Sequence, residues 1–579
     1  MRRVSLPKTR PALLIVGTLM AVLMTVTAAQ ALTGRTPARA GTTTPTAAAA
    51  VDCQQLTGLD LTALPDAPTR IISATHVAAT ADKPAYCRVK GYVSPQIQFE
   101  LRLPEQGWTG RYVQLGCGGF CGFAAPDNPN HFLPGGCAPP DDGRVVLGAS
   151  NGGHIGVDSR DALWAHSDPQ LRIDMAYRSE HVTALVAKAV TKAYYGQAPQ
   201  YSYFAGCSNG GRQALMEAQR YPDDFDGIIA GAPGNNLVAL AGEFFPWIAT
   251  VNTDDKGRQI LGPDKLPLLQ SKVMQACDAT DGLTDGLINN PRNCDFDPGT
   301  LRCPTASPQP TCLTRDQVYV VRKIYQGPVD AKGRRLFPAG LAKGTEAAWL
   351  GYVIAPQGQT GGLEALGYNY LKYFASWNNP PASYTLKDHR FDLRTFKKLR
   401  EMSGIYDSTD PDLTRFRDRG GKLIMWHGWA DPAIPTESTL AYHHALTQRM
   451  GGPEATGRFA RTFLFPGVYH CVQGYGPDTF DLFTPIYDWV EKGAAPEKII
   501  AAKKDGDRTV RTRPVYPYPM QTKYTGTGSI DDAANFTGVM PTEQPDDRYP
   551  WVGAPFRSDY QQTCRWEGTK LKCTRTRSA

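Results

Sequence analysis

A serine set among small residues, Gly206-Cys207-Ser208-Asn209-Gly210, is the part of this sequence whose spacing most directly implies covalent chemistry. The G-x-S-x-G pattern suits a sharp turn from a strand into a helix, where only small neighbours leave room for a serine in strained geometry. Such a turn lifts the hydroxyl to a helix N-terminus, whose free amides favour negative charge. A serine hydroxyl attacks poorly until a histidine takes its proton, and that histidine needs a carboxylate to fix its tautomer and stabilise its charged form. In a parallel α/β sheet the chain order serine, acid, histidine is expected. Among His389, His427, His443, His444 and His470, which follow the serine, His470 is best placed, just past the apolar run ending Phe465-Pro466-Gly467. Asp431 follows the run Leu423 to Trp426 and is the acid, at a strand's C-terminal end where ligand sites of such sheets gather. His443 and His444 read as helix-face side chains, His427 as a neighbour of the acid loop, and Asp478 and Asp481 as helix-terminal acids.

Attack on a carbonyl creates an oxyanion that needs two preorganised amides. Asn209, directly after the serine, supplies one; the loop Gly116-Cys117-Gly118-Gly119-Phe120 supplies the other, with Gly119 chosen and Gly118 adjacent. Cys207 precedes the nucleophile and Cys471 follows the base, so if Ser208 and His470 meet, their neighbours are close enough to be bridged. No nucleotide-binding glycine motif is present, and no organic cofactor is expected.

These residues need a sheet to carry them. Cys87 to Leu103 alternates apolar and polar residues, and Arg111 to Leu115 runs into the glycine loop. Gln170 to Tyr195 carries Ile173, Ala176, Val182, Leu185, Val186 and Val190 at helix spacing, followed by a strand at Tyr201 to Ala205, a helix at Gly210 to Arg220 and a strand at Phe225 to Ala230. Alternation of this kind gives a mostly parallel sheet covered on both faces. After Gly234 the rhythm breaks into a turn-rich, aromatic stretch and resumes at Lys422 to Trp426, Thr462 to Phe465 and a helix at Phe480 to Glu491. One core split by an insertion is the reading: core in 51–240 and 413–522, an inserted lid in 241–412, and an extension in 523–579. Phe244, Trp247, Tyr370, Phe374 and Trp377 are candidates for stacking on a substrate ring, with lid core as the competing role.

The chain has 579 residues, 20% of them charged, and a net charge of +7, four units of which come from Arg2, Arg3, Lys8 and Arg10. That small excess provides no footprint for nucleic acid or a membrane surface. Residues 1–31 have the parts of a signal peptide, a basic start, an apolar run to Ala28 and the site Ala29-Gln30-Ala31, so export is expected, with no membrane partner after cleavage. Residues 32–50, mostly Thr, Ala and Pro, read as a mobile leader. Thirteen cysteines suit an oxidising compartment, and spacing suggests Cys53 with Cys87, Cys277 with Cys294, Cys303 with Cys312 and Cys564 with Cys573. Cys117, Cys121 and Cys137 stay open between a tight disulfide loop and a zinc site. In Cys277 to Leu287, Asp278, Asp281 and Asp285 alternate with glycines, and with the carbonyls of Leu283 and Leu287 they could ligate calcium; a solvated turn is the alternative.

Taken together, Gly206 to Asn235, the Gly119 loop, Asn151-Gly152-Gly153-His154, the Asp278 segment, Trp426 to Asp431 and Pro466 to Gly474 resemble the tannase and feruloyl esterase family over about Val51 to Met520. The resemblance implies an α/β-hydrolase core with a large inserted lid and a secreted serine carboxylic ester hydrolase with the triad Ser208, Asp431 and His470. It also implies the disulfide Cys207 to Cys471 and structural calcium at Asp278, Asp281, Leu283, Asp285 and Leu287. Its substrates would be small or plant-polymer-linked esters of phenolic acids. A terephthalate monoester, cleaved by one bacterial member, is the runner-up, and a peptidase or acyltransferase with the same triad is a further rival. That bacterial member carries Glu after the nucleophile and an Arg in its lid; here stand Asn209 and a stretch, Tyr368-Asn369-Tyr370 to Trp377-Asn378-Asn379, without that Arg pattern. The number of copies in the functional assembly is not set by the sequence.

Overall fold

Nine strands form one sheet in the computed structural model: β1 (Thr69–Val77), β2 (Tyr86–Val93), β3 (Ile97–Pro104), β4 (Arg111–Leu115), β5 (Val145–Ser150), β6 (Tyr201–Cys207), β7 (Gly227–Gly231), β8 (Lys422–Gly428) and β9 (Ala460–Phe465). The structure describes residues 47–575 except 130, 132, 134–142, 306–308, 544 and 554–561, all within one compact unit, Thr44–Ala579. The expected signal peptide, residues 32–46 of the expected leader, and Cys137 lie outside the described residues.

The strand order is β1-β2-β3-β5-β4-β6-β7-β8-β9. Strands β1, β2, β3 and β5 pair antiparallel, and every pairing from β5 through β4 to β9 is parallel. Period-two alternation sorts the central side chains onto two faces: Tyr112, Phe204, Leu423 and Met425 on one, Val113, Tyr203, Ile424 and Trp426 on the other. Both faces are covered, which is why these strands are apolar almost throughout.

Helix α1 (Ser179–Tyr195) buries Val182, Val186 and Val190 against the first face and stops at Gly196, left-handed at φ 75°. The helix expected from Gln170 is broken: Pro169–Ile173 is helical and Asp174–Arg178 forms a wider turn before α1. Helix α2 (Asn209–Arg220) packs Ala214, Leu215 and Ala218 on the same face. Between β7 and β8 the chain forms the lid, including α3 (Phe245–Val251), α4 (Leu266–Cys277), α5 (Arg315–Gln326) and α6 (Gly362–Tyr373). Helix α5 is opened by a capping box of Thr314 and Gln317. The core resumes with α7 (Thr436–Arg449) on the first face and α8 (Phe483–Lys492) on the second, where Ile486 and Trp489 are buried.

The stretch after β9 carries more structure than its composition announced. Ile499–Asp505 pairs with Arg508–Val515, Gln521–Tyr524 with Phe536–Val539, and Gln562–Glu567 with Lys570–Arg575. The last pair packs Cys564, Leu571 and Cys573 against the lid's apolar cluster, and the Cys564 amide donates to the Tyr177 hydroxyl at 3.0 Å. Among the described residues no helix is long and apolar enough to cross a membrane.

Candidate active site

Strand β6 delivers the chain into the elbow. Ser208 sits at φ 66°, ψ −122°, a conformation that costs a non-glycine residue about 1–3 kcal/mol. Its amide donates to Gly231 O at 3.0 Å, and its carbonyl accepts from Arg212 N at 3.0 Å and Gly234 N at 3.1 Å, which hold the turn closed. The flanking glycines are sterically required: a Cβ on Gly206 would come within 2.6 Å of the Gly210 carbonyl carbon.

Asp431 and His470 meet at the ends of β8 and β9. Nδ1 of His470 lies 2.6 Å from Oδ2 of Asp431, whose Oδ1 accepts from Ala433 N at 2.7 Å and Ile434 N at 2.9 Å. Burial alone would raise the Asp431 carboxyl, but His470 and the hydrogen bonds from His427 and His470 outweigh it and hold the group well below the usual carboxylate range. His427 Nε2 lies 3.1 Å from Asp431 Oδ2 and 3.0 Å from Ile434 O, both acceptors, so this nitrogen carries the proton; Nδ1 then accepts from the Thr439 hydroxyl at 2.8 Å. Its place beside the acid loop was legible, but its bond to the carboxylate was not.

The Cys207–Cys471 disulfide, with Cα atoms 5.8 Å apart, joins the residue before Ser208 to the residue after His470 across 264 positions of sequence. The other four spaced pairs, Cys53–Cys87, Cys277–Cys294, Cys303–Cys312 and Cys564–Cys573, are also formed. Cys117 and Cys121 bridge each other within the glycine loop, which removes the zinc alternative for those two. Of the rival groups, His443 is buried against Thr462 and lowered to about 4 by that burial, Asp478 pairs with Lys503 at 2.9 Å, and Asp481 caps the Phe483 and Thr484 amides.

Gly119 is left-handed at φ 58° and lies against Ser159, whose carbonyl accepts from Phe120 N at 2.7 Å. A Cβ there would stand 2.2 Å from that carbonyl oxygen, so the position admits only glycine. Asn209 is the first residue of α2.

The lid aromatics do not line an opening. Phe244, Tyr370 and Phe374 are fully buried, and Trp247 nearly so, its indole N–H donating to Lys323 O at 3.0 Å. Tyr370 and Phe374 pack with each other and with Tyr406, and Phe374 also against Phe120; only Trp377 of the five is partly exposed. For Phe244, Trp247, Tyr370 and Phe374 the competing role in the lid's own core is the one the structure shows. From the lid, Tyr352 reaches the site, edge-on to His470 with ring centroids 6.0 Å apart. No sequence pattern marks it.

In the expected calcium loop, Asp278 Oδ1 accepts from the amides of Asp285, Gly286 and Leu287, Asp281 Oδ1 from Leu283 N, and Asp285 Oδ2 from Arg513 at 2.6 Å. Among the described residues no three His, Cys, Asp or Glu side chains are grouped so as to hold a metal ion. The donors are the hard oxygens a calcium ion takes, three carboxylates and nearby carbonyls, although Arg513 already engages Asp285; burial, then the charges of Asp285 and Asp278, push Asp281 up to about 6.

A parallel sheet with a strained serine turn after its β6 strand, an acid and a histidine at the ends of later strands, and a helical insertion over them defines an α/β-hydrolase fold with a lid. The chain belongs to the tannase and feruloyl esterase family, whose profile matches residues 79–539 and so extends past Met520 into the paired strands that follow. It is 33% identical over 535 residues to mono(2-hydroxyethyl) terephthalate hydrolase of Piscinibacter sakaiensis, covering 81% of this chain and 87% of that one. It is 33% identical over 561 residues to an uncharacterised esterase of Xanthomonas campestris pv. campestris, covering 87% and 94%. The crystal structure of feruloyl esterase B from Aspergillus oryzae superposes with a TM-score of 0.73 at 25% identity, covering 84% of this chain and all of that one.

Proposed function

We propose that this protein is an exported serine carboxylic ester hydrolase acting on esters of phenolic or aromatic acids through an acyl-serine. The observation that carries the reading is the link of the Ser208 elbow, through Cys207–Cys471, to the His470–Asp431 pair at 2.6 Å. Asp431, kept ionised, holds the Nδ1 proton of His470 and leaves Nε2 free to take the Ser208 proton as the hydroxyl attacks the ester carbonyl. The oxyanion is received by the amides of Asn209 and Gly119; His470 then protonates the departing alcohol. Water, deprotonated by the same histidine, releases the acid and restores Ser208. The names of the relatives support the aromatic acid class. Asp278, Asp281 and Asp285, with the carbonyls of Leu283 and Leu287, would hold calcium as a structural clamp beside Cys277–Cys294. Six disulfides among the described residues support export.

A panel of methyl ferulate, methyl gallate and the terephthalate monoester, run beside Ser208→Ala, tests the reading. Turnover of a phenolic ester that disappears in the variant supports it. Failure of every ester, or full activity in the variant, removes it.

A further inference from the structure

We infer that the side chains of Asn209 and Gln213 are positioning residues of the oxyanion hole, locking the glycine loop to the nucleophile helix through the backbone of a single residue, Cys117. This rests on the hydrolase reading above and goes beyond it. Four residues apart, the two side chains lie on one face of α2. The Cys117 amide donates to Gln213 Oε1 at 3.0 Å, while the Cys117 carbonyl accepts from Asn209 Nδ2 at 3.3 Å. The loop strand is thus gripped by both its donor and its acceptor.

Each grip is fixed from behind. Arg212 Nε can only donate, and it does so to Asn209 Oδ1 at 2.7 Å, so Asn209 must turn its amide nitrogen toward Cys117. The Cys117 amide likewise can only donate, so Gln213 presents its oxygen there and its nitrogen to Glu180 Oε1 at 3.0 Å. Glu180 is in turn held by Gln114 at 2.7 Å and Ser150 at 2.8 Å. Asn209, Gln213 and Glu180 are each at most 5% exposed, so these bonds do not compete with water.

The backbones touch at the same place: a Cβ on Gly210 would meet Gly116 C and O at 3.0 Å. The Cys117–Cys121 bridge closes the loop on itself, so Gly118 and Gly119 move with the Cys117 backbone. The clamp therefore sets the spacing between the two proposed oxyanion donors, the amide of Asn209 and that of the glycine loop. Donors preorganised in this way stabilise developing charge without reorganisation.

The test uses Gln213→Met, which keeps the volume and removes both bonds, and Asn209→Asp, which keeps the acceptor for Arg212 and sets a carboxylate against the Cys117 carbonyl. For each, kcat and KM on the best ester are measured, together with affinity for an arylboronic acid, whose tetrahedral serine adduct mimics the oxyanion, and for the product acid. We expect kcat to fall about 10- to 100-fold with KM little changed, the scale of loss from a displacement of about 1 Å. Boronate affinity should fall by a similar factor while product affinity holds, and the double variant should lose less than the product of the single losses, because both side chains hold the backbone of one residue. Unchanged kcat in a folded variant, a loss confined to KM, or boronate affinity that does not follow kcat overturns the inference. If Gln213→Met does not fold, Asn209→Asp decides by the same readouts. A wild-type protein that hydrolyses no aromatic ester overturns the underlying reading instead.

Discussion

Among the buried carboxylates that face histidines, one in the core and one in the lid are pushed in opposite directions. Asp431 has His470 at 2.6 Å, His427 at 3.1 Å and two backbone amides on its second oxygen, and it is held far toward the ionised form. Glu243, in the lid, has His389 at 3.2 Å, and its Oε1 has no hydrogen-bond partner among the described residues. Burial pushes it up to about 7 despite the hydrogen bond and charge of His389. One histidine neighbour does not by itself keep a buried carboxylate charged; Asp431 has the charges and hydrogen bonds of two.

Changes at the core pair should have the largest effect. Ser208→Ala and Asp431→Asn are each expected to lower kcat by about 10⁴-fold or more, read as steady-state kinetics on a phenolic ester. His427→Gln, which removes only one of the Asp431 donors, should lower kcat by about 10-fold; an effect as large as that of Asp431→Asn would show that the donors are not shared as described. Replacing both Cys207 and Cys471 by Ser should cost about 2–5 kcal/mol in denaturant unfolding. Chelation should lower Tm if the lid loop holds calcium, because an ion at 100 times its Kd stabilises by about 2.7 kcal/mol, and Asp281→Ala should abolish the difference.

The smallest effect separates the two pairs by pH. Glu243 is raised from 4.5 to about 7, so its contribution to stability is present at low pH and is lost as pH rises through 7. Glu243→Gln should therefore gain on the parent in Tm between pH 5 and pH 8, on the order of 2 °C. Asp431 runs the other way: held below its ordinary value of 3.8, it contributes at every pH above that value and loses its contribution only in strong acid. A Tm difference for Glu243→Gln that is flat across this range would remove the contrast.

Legibility in the sequence followed the range over which each constraint acts. Strands β4, β6 and β8, helices α1 and α2, and the serine turn could be read because alternation, helix spacing and small residues act within a few positions. Strands β1 and β5 were not read from the sequence, and the final hairpin gave little sign of itself; in β1 and the hairpin the polar residues become strand only by pairing and docking. The lid aromatics were read as candidate ligands because composition shows that rings are present but not which way they face.

What the sequence determined by itself is the local chemistry: a serine between glycines, an acid and a histidine in hydrolase order, and cysteines beside two of them. Tertiary structure alone decided that Tyr352 reaches His470, that Cys117 pairs with Cys121, and that Asn209 and Gln213 grip one residue of the glycine loop. These are contacts between residues far apart in the chain or choices among equivalent partners, and only the packed core fixes which groups share a few ångströms of space.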